Sequence, residues 1–600
     1  MGLCKNRLWN LVNVSDRKQS DLPDIMAALT PHKNNLGHPE HKFCTLSKCQ
    51  WAQMNSTSVK QLHKCGKCES EKHGMNDSRS AKNTEDSKLE PDGLSERAAG
   101  AGSRKKESRA GIDKETSCCQ KQFPVELLET ALELGKGTAW LCTGKSPKLG
   151  GPKDRYIAIS HVWSDDTGVG VKDPGTVNAC LFKFFAGIAH ELGCKAVWWD
   201  ALSIPYEPKA RNKALNMMHA NYANAEYTVV HDNYLLNFPL SDDGGPCLAL
   251  VLSSWFTRGW TALELAMSKR VKVLFGNPVK GGPPVIKDLK SEVLAKSPSL
   301  ASRAHWLATT LVQRLRKPVD NIGDLLAILS PRSTSWARDR TIIAALLAGV
   351  PDCDFTAGES IITSKVLEYV GKIPYTCLLH GKPTMRDREE YSWCAATLDD
   401  MPVDISTDIG GGTVSKTRAL LEIDESGAVE GKWWCRAFRD EDDANKTQVY
   451  GNDLAAAVKV HVALCHWKRR LLLRYSDDKC DSALLVLPTS IIRAGPILKC
   501  RYIGAVVENP ENPEEGEFWL TPDILCDPYP GDWCLWDVRL GGTDDGKHEM
   551  LAEKVPELMV EFGEGQNFVG DDNESVKGDD GDLEPEPSTQ DDHESQQPPE

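Results

Sequence analysis

The spacing of apolar residues between positions 156 and 275 changes repeatedly from strand-like to helix-like. Three short runs rich in aromatic and β-branched residues predict strands, at 156–162, 196–200 and 227–231. Between these runs, apolar residues recur at helical spacing over 179–192 and 209–225. Gly193 stands where the first of these helices should end. Strands and helices that alternate in this way predict an α/β fold with a parallel sheet.

The pattern outside this unit predicts further regions. A helix is expected to begin near residue 123, and strand-like runs, including a hairpin around 425–427, dominate the chain after residue 375. Segments rich in charged, Gly and Ser residues with few apolar ones indicate disorder. The predicted organisation is an N-terminal region at 1–73, a disordered linker at 74–118, an α/β domain at 123–280 with its core at 155–275, a helical region at 285–372, a β-rich region at 375–545 and a disordered acidic tail at 560–600.

The formal charge of −15 is concentrated at the C-terminus. Residues 571–600 hold twelve acids and one lysine, a net of −11, which leaves −4 for the first 570 residues. A nearly neutral body with an acidic tail argues against a nucleic-acid partner. The sequence lacks the apolar core of a signal peptide and any run of about 18 apolar residues. Together with twenty cysteines, this predicts a cytoplasmic protein without a membrane span, whose thiols are free or bind metal.

Cysteines and histidines concentrate between residues 41 and 73. A C-x4-C pair and a C-x2-C pair lie fifteen residues apart, a spacing that suits a tetrahedral Zn²⁺ site. The predicted ligands are Cys44, Cys49, Cys65 and Cys68, with His41 and His63 as alternates. The segment has few large apolar residues, so it would need the metal in order to fold. The sequence therefore predicts a structural zinc module here, and the alternative is a disordered Cys-bearing segment.

Polar side chains follow the predicted strands of the α/β unit. Because parallel strands share one carboxyl edge, where ligands bind, these side chains are expected to line one cleft. Ser160 and His161 are neighbours on a strand and face opposite ways, which excludes them as a nucleophile–base pair. The candidate cleft-lining residues are Ser160, His161, Trp163, Asp200, Ser203, Glu207, Arg211, Arg258 and Trp260.

Two carboxylates in these segments have competing interpretations. Glu207 lies four residues before Arg211, where capping of a helix is a simpler role than chemistry. Trp260 and Glu264 share a helix face, so a ring and a carboxylate could hold a nitrogenous base and a ribose, although Glu264 could equally pair with Arg258 and only stabilise the helix. The motifs GxSxG, GxxxxGK[ST], GxGxxG and HExxH are absent from the sequence. Their absence weakens the hypotheses of a serine hydrolase, a P-loop protein, a dinucleotide-binding fold and a zinc protease.

Three blocks, in order, resemble the fungal heterokaryon-incompatibility (HET) domain. They are YIAISHVWSD from residue 156, WWDALSIPYEPKAR from 198 and RGWTALE from 258. The likeness covers roughly 155–275, and LSPRSTSWARDRTIIAALLAG is similar to a segment with an Arg-Asp pair that commonly follows this domain. Ser203 stands where the family usually has Cys, and Leu263 where it usually has Gln.

The resemblance implies a role in nonself recognition between fungal strains, ending in growth arrest or cell death, with an unknown protein partner. The HET core is distantly similar to the TIR domain, many of whose members self-associate and cleave NAD⁺ with a glutamate in a Trp-x-x-x-Glu helix. Trp260 and Glu264 match that motif, so a TIR-like fold, NAD⁺ as substrate and Glu264 as the catalytic residue are implied. The alternative is a non-enzymatic interaction scaffold with a zinc module.

Overall fold

The computed structural model describes most of the α/β and β-rich parts of the chain. The described residues are 3–13, 18–32, 41, 43–46, 49, 64, 120–163, 175–385, 389–402, 420–437, 447–451, 453–466, 470–475, 482–489, 497–508 and 534–542. The predicted linker at 74–118 and acidic tail at 560–600, together with His63, Cys65 and Cys68, lie outside this set.

The elements follow one another in a mixed α/β order. The α-helices are α1 Lys5–Asn13, α2 Leu22–Leu29, α3 Val125–Glu133, α4 Ala179–Glu191, α5 Asp200–Ser203, α6 Pro208–Asn216, α7 Met218–Asn224, α8 Asn233–Leu236, α9 Gly245–Leu252, α10 Ser254–Thr257, α11 Gly259–Met267, α12 Arg303–Arg314, α13 Ile322–Leu329, α14 Ala337–Ala348, α15 Glu359–Val370 and α16 Leu454–His466. The strands are β1 Gln120–Gln122, β2 Trp140–Leu141, β3 Tyr156–His161, β4 Thr176–Asn178, β5 Ala196–Trp199, β6 Tyr227–His231, β7 Val271–Phe275, β8 Val285–Asp288, β9 Lys372–Pro374, β10 Leu420–Ile423, β11 Val429–Ala437, β12 Thr447–Val449, β13 Leu471–Tyr475, β14 Ser482–Pro488, β15 Ile497–Glu508 and β16 Cys534–Leu540.

The first large sheet contains the three strands predicted from the apolar runs. Its order is β2-β5-β3-β6-β7-β8, and the four central strands run parallel. The edge strands β2 and β8 pair antiparallel, so the sheet is mixed and the prediction of a parallel sheet needs this correction. Only residues 276–284 connect β7 to β8. That connection is shorter than the dozen or more residues that a parallel crossover needs.

Side chains of the central strands alternate between two buried layers. On β3, Ile157 and Ile159 pack with the core on the α4 side, whereas Ala158 packs with the core on the α11 side. Val229 and Val230 on β6 divide in the same way. Apolar residues on both faces are what a central parallel strand requires, because helices cover both sides of the sheet.

The segment predicted as one helix over 209–225 forms two helices, α6 and α7, separated by Met217. Ala214 of α6 packs in the core on the α4 side, and Met218 and Tyr222 of α7 pack in the core on the α11 side. Leu215 of α6 also packs in the core on the α11 side, so this segment lies between the two cores. The apolar spacing did not reveal the one-residue turn that separates α6 from α7.

The second large sheet lies within 372–540, where β-rich structure is predicted. Its order is β12-β15-β14-β13-β11-β10-β9, and β16 pairs with both β11 and β15. Five strands therefore close into a ring, in the order β11, β13, β14, β15 and β16. The predicted hairpin is formed by β10 and β11, and Gly427 in its turn has φ +79°, a value that favours glycine.

A helix, α16, interrupts this region and was not predicted. Its sequence, LAAAVKVHVALCH, contains three valines that also suit a strand. Val460, Ala463 and Leu464 bury against the sheet, so packing of one helical face decides the conformation.

Candidate functional site

A cleft opens at the carboxyl ends of β3 and β5, beside α6 and α11. Seven of the residues predicted to line a cleft or to act in one contribute to its wall: His161, Trp163, Asp200, Arg211, Arg258, Trp260 and Glu264. The parallel pairing of β3 and β5 brings His161 and Asp200 together, and the helices α6 and α11 supply Arg211, Trp260 and Glu264.

Glu264 is the most deeply buried acid of the cleft, with only 3% of its surface exposed. It accepts a hydrogen bond from Ser160 Oγ, which in turn accepts one from Trp255 Nε1 at 2.6 Å. Burial raises the pKa of Glu264 to about 8, against the opposing effect of the Ser160 hydrogen bond. At neutral pH, Glu264 is therefore mostly a neutral acid.

His161 and Asp200 form a second buried pair at the ends of β3 and β5. His161 Nε2 lies 2.7 Å from Asp200 Oδ1, and Trp163 Nε1 donates to the same carboxylate at 3.0 Å. Burial alone would raise the pKa of Asp200, but the charge and hydrogen bond of His161 hold it below its ordinary value. Trp199 Nε1 also lies 2.9 Å from His161 Nε2. An indole N–H only donates and an ionised carboxylate only accepts, so Trp199 and Asp200 compete for this nitrogen: Nε2 accepts from Trp199 in one imidazole tautomer and donates to Asp200 when it carries the proton.

The outer part of the cleft combines aromatic rings with both signs of charge. Trp260 Nε1 donates to Asp339 Oδ2 at 2.8 Å. Burial raises the pKa of Asp339, while this bond and the charges of Arg211 and Arg258 act in the opposite direction. Trp336 stands at the mouth with half of its surface exposed. Such a wall can stack a planar ring and bind an anionic group.

Three residues predicted to line the cleft lie elsewhere. Ser160 is buried behind Glu264. Ser203 is buried too, and it donates to Thr138 O at 3.0 Å. Glu207 caps α6 by accepting from two backbone N–H groups of its first turn, at 2.6 and 3.1 Å. These contacts agree with the capping interpretation of Glu207 and give Ser203 a structural role.

Other cleft residues were not singled out from the sequence. Tyr206, Trp336 and Asp339 contribute to the wall, and Tyr222 packs beneath Glu264, with its hydroxyl donating to Ile159 O at 3.0 Å. The signals were present, because the first three belong to the quoted stretches SIPYEP and SWARDR. Their meeting depends on the packing of α14 against α11, which local spacing does not reveal.

Four side chains of metal-ligand type meet near the N-terminus, and they are here called the Cys3His cluster: Cys4, His41, Cys44 and Cys49. All four are buried, and their ligand atoms lie within 4.8 Å of one another. His41 Nδ1 is 3.5 and 3.4 Å from the sulfurs of Cys44 and Cys49, which are themselves 3.9 Å apart. Tetrahedral zinc with ordinary bond lengths spaces S and N ligands about 3.6 Å and two S ligands about 3.8 Å apart. The cluster could therefore hold a metal such as zinc.

The composition of this cluster differs in part from the predicted ligand set. Cys44 and Cys49 belong to it, and His41, an alternate, takes a third position. Cys4 takes the fourth, and sequence spacing missed it because it lies far upstream of the Cys pairs. Contact with Cys49 and burial raise the pKa of Cys4, against the opposing effect of Arg7.

Comparisons of the chain with protein-family models, with curated proteins and with solved structures give no match. The HET resemblance thus remains a prediction from the quoted blocks. Across the described residues, no helix has both the length and the apolar character needed to cross a bilayer.

Proposed function

We propose that the protein is a HET-domain effector of nonself recognition and cell death in a filamentous fungus, with a TIR-like core that self-associates and cleaves NAD⁺. The observation that carries the proposal is that Trp260 and Glu264, the Trp-x-x-x-Glu pair, share a cleft with Arg211 and Arg258. The cleft thus offers a stacking surface, two cations for a pyrophosphate and a carboxyl group for a ribose.

The proposed reaction breaks the bond between ribose C1′ and the pyridinium nitrogen of nicotinamide. The nitrogen takes the electron pair and leaves as neutral nicotinamide, so its departure needs no general acid. Water adds to C1′ and releases a proton, which gives ADP-ribose. The carboxylate of Glu264 stabilises the oxocarbenium-like ribose or holds its hydroxyl groups.

Ionisation of Glu264 is the property that this cleft controls. With a pKa of about 8, its carboxyl is mostly protonated before substrate binds at neutral pH. The positive pyridinium ring of NAD⁺ favours the ionised form once it lies nearby. Binding and activation of the carboxylate are therefore linked.

The test follows nicotinamide release from NAD⁺ by concentrated, purified full-length protein. We expect release to rise more steeply than protein concentration, because assembly is required, and Glu264→Gln to reduce the rate by about 100-fold or more. Glu226→Gln is the matched control, since this carboxylate pairs with Arg270 outside the cleft. No release by the assembled wild type refutes NAD⁺ cleavage, and equal release by wild type and Glu264→Gln refutes the role of Glu264.

A non-enzymatic interaction scaffold is the second candidate. It is favoured by the hydrogen bonds that run from Trp255 through Ser160 to Glu264, because a buried, neutral and bonded acid can serve structure alone. Self-association together with an inert cleft in the same assay would support this candidate over the enzyme.

We also propose that the Cys3His cluster binds a structural zinc ion. Protein purified without chelator should contain about one zinc per chain, as measured by mass spectrometry of the metal. Cys44→Ser should lose it, whereas Cys65→Ser and the exposed, distant Cys465→Ser should keep it. Unchanged zinc in Cys44→Ser would contradict the assignment, and loss in Cys65→Ser would return that residue to the ligand set.

A further inference from the structure

Helix α1 joins the Cys3His cluster to the protein core. Cys4 precedes the helix directly, and its carbonyl accepts from Leu8 N at 3.0 Å, so this ligand belongs to the first turn. Leu11 and Val12, near the other end, are almost fully buried in the main core. Asn6 Nδ2 donates to Leu46 O at 2.7 Å, which ties α1 to the ligand-bearing segment a second time.

Arg7 is the contact through which α1 reaches the elements behind the cleft. Only 4% of its surface is exposed. Its Nη1 donates to Leu252 O at 2.8 Å, and its Nη2 donates to Ser254 Oγ at 3.0 Å. Leu252 ends α9 and Ser254 begins α10, so one guanidinium spans the corner between these helices. Two directed bonds from a buried cation fix such a corner more firmly than apolar packing does.

The same corner carries the side chain on which the buried carboxyl depends. Trp255 follows Ser254, and its backbone N–H donates to Asp232 Oδ2 at 2.9 Å. Its indole N–H donates to Ser160 Oγ, the donor to Glu264. A displacement of the α9–α10 corner would therefore move the indole and remove the N–H donor that orients the Ser160 hydroxyl.

We propose that metal binding in the Cys3His cluster positions the cleft. The bound metal would fix α1, and Arg7 would then hold the α9–α10 corner. That corner keeps the hydrogen bonds from Trp255 to Ser160 and from Ser160 to Glu264 in place. Arg7 is a positioning residue, because it acts through the α9–α10 corner and does not line the cleft. A helix of nine residues is too short to be stable alone in water, so α1 depends on its tethers. The inference rests on the metal proposed above and does not require NAD⁺ cleavage.

The test uses hydrogen–deuterium exchange of the full-length protein in the zinc-loaded form and after reversible removal of zinc by a chelator. We expect zinc removal to speed exchange in peptides covering α1 and 252–257 by roughly tenfold, the factor for loss of a charge-assisted hydrogen bond. Return of zinc should restore protection. The readout is independent of NAD⁺, so failure of the enzyme proposal leaves this test intact.

Arg7→Met separates positioning from folding. It keeps the apolar stem and the metal ligands but removes both donors. This variant should retain zinc and show fast exchange at 252–257 already in the loaded form, and zinc removal should add no further change there. Arg303→Met is the matched control, because Arg303 ties the N-terminal region to the core through Asp21, 2.8 Å away, and not through the α9–α10 corner.

Three outcomes would overturn the proposal. One is that metal removal speeds exchange in α1 but leaves 252–257 unchanged. Another is that Arg303→Met loosens 252–257 as much as Arg7→Met does, which would mean that general destabilisation explains the effect. The third is that the full-length protein binds no zinc at the Cys3His cluster.

Discussion

Glu264 and Asp200 are two acids in one cleft that their surroundings hold in opposite protonation states. Burial raises the pKa of Glu264 to about 8. Asp200 is also buried, yet its bonds with His161, Trp163 and the backbone keep its pKa below the ordinary value. Pairs of this kind can supply an acid and a base at the same pH.

The pKa of Glu264 predicts that its contribution to stability falls as pH rises. Its pKa is 4.5 in the unfolded chain and about 8 in the folded chain. Between these values the folded state keeps a proton that the unfolded state has lost. Glu264 therefore lowers the free energy of unfolding by up to about 1.4 kcal/mol for each pH unit of increase. This pH dependence ends above about pH 8, where Glu264 is ionised in both states.

Glu264→Gln should remove this slope, because an amide does not titrate. Chemical denaturation at several pH values between about 5 and about 8 should show the variant gaining stability relative to the wild type as pH rises. Glu226→Gln, which alters a surface ion pair, should follow the wild-type slope. Parallel curves for the wild type and Glu264→Gln would show that Glu264 is ionised throughout this range.

At the residue scale, alternation along β3 was enough to predict that Ser160 and His161 face apart. Ser160 bonds with Trp255 and Glu264, whereas His161 bonds with Asp200. The protonation states were beyond the sequence. They depend on burial, and burial depends on elements that lie far away along the chain.

Helix α4 offers a test at the scale of an element, since it contains one glycine and ends with another. Gly187 is exposed within the helix, and a Cβ added there would meet no atom within 4 Å. Gly193 follows the helix with φ +69°, and an added Cβ would come within 3.2 Å of Arg155 Nη2. The same substitution is therefore expected to have opposite effects at the two positions.

Gly187→Ala should raise the free energy of unfolding by roughly 0.5–1 kcal/mol, because alanine loses less backbone entropy in a helix. Gly193→Ala should lower it by about 1–2 kcal/mol through left-handed strain. Urea denaturation of the two variants measures both changes. If both substitutions change the free energy of unfolding in the same direction and by the same amount, Gly193 does not have the left-handed conformation that ends α4.

Elements with strong local patterns were predictable, and those set by distant partners were not. The central strands and α4 follow from apolar spacing, and the turn of the β10–β11 hairpin follows from Gly427. The antiparallel edges β2 and β8, the turn between α6 and α7, and the helix α16 required knowledge of which core each side chain enters. Cys4 joined a ligand set for the same reason, because α1 packs back against a segment much later in the chain.

At the scale of the whole molecule, one buried cluster runs through regions that the sequence predicts as separate. It includes Leu11 of α1, Leu263 of α11, Leu325 of α13 and Leu473 of β13. Residues of the α/β, helical and β-rich regions thus exclude water from the same space. A shared core implies that these regions unfold together, because exposing one face removes the partner of the next.

Leu473→Ala tests this shared core. Leu473 is fully buried in the second sheet, and its truncation should cost about 2–5 kcal/mol. If the regions form one cooperative unit, calorimetry should show a single transition displaced to lower temperature, with tryptophan fluorescence and far-UV circular dichroism changing together. Leu420→Ala in the same sheet is the control, because 42% of the surface of Leu420 is exposed and its truncation should cost only about 0.5 kcal/mol. A new low-temperature transition beside an undisplaced one would mean that the β-rich region folds by itself. In that case the β-rich region could be deleted without unfolding the cleft, which a shared core does not allow.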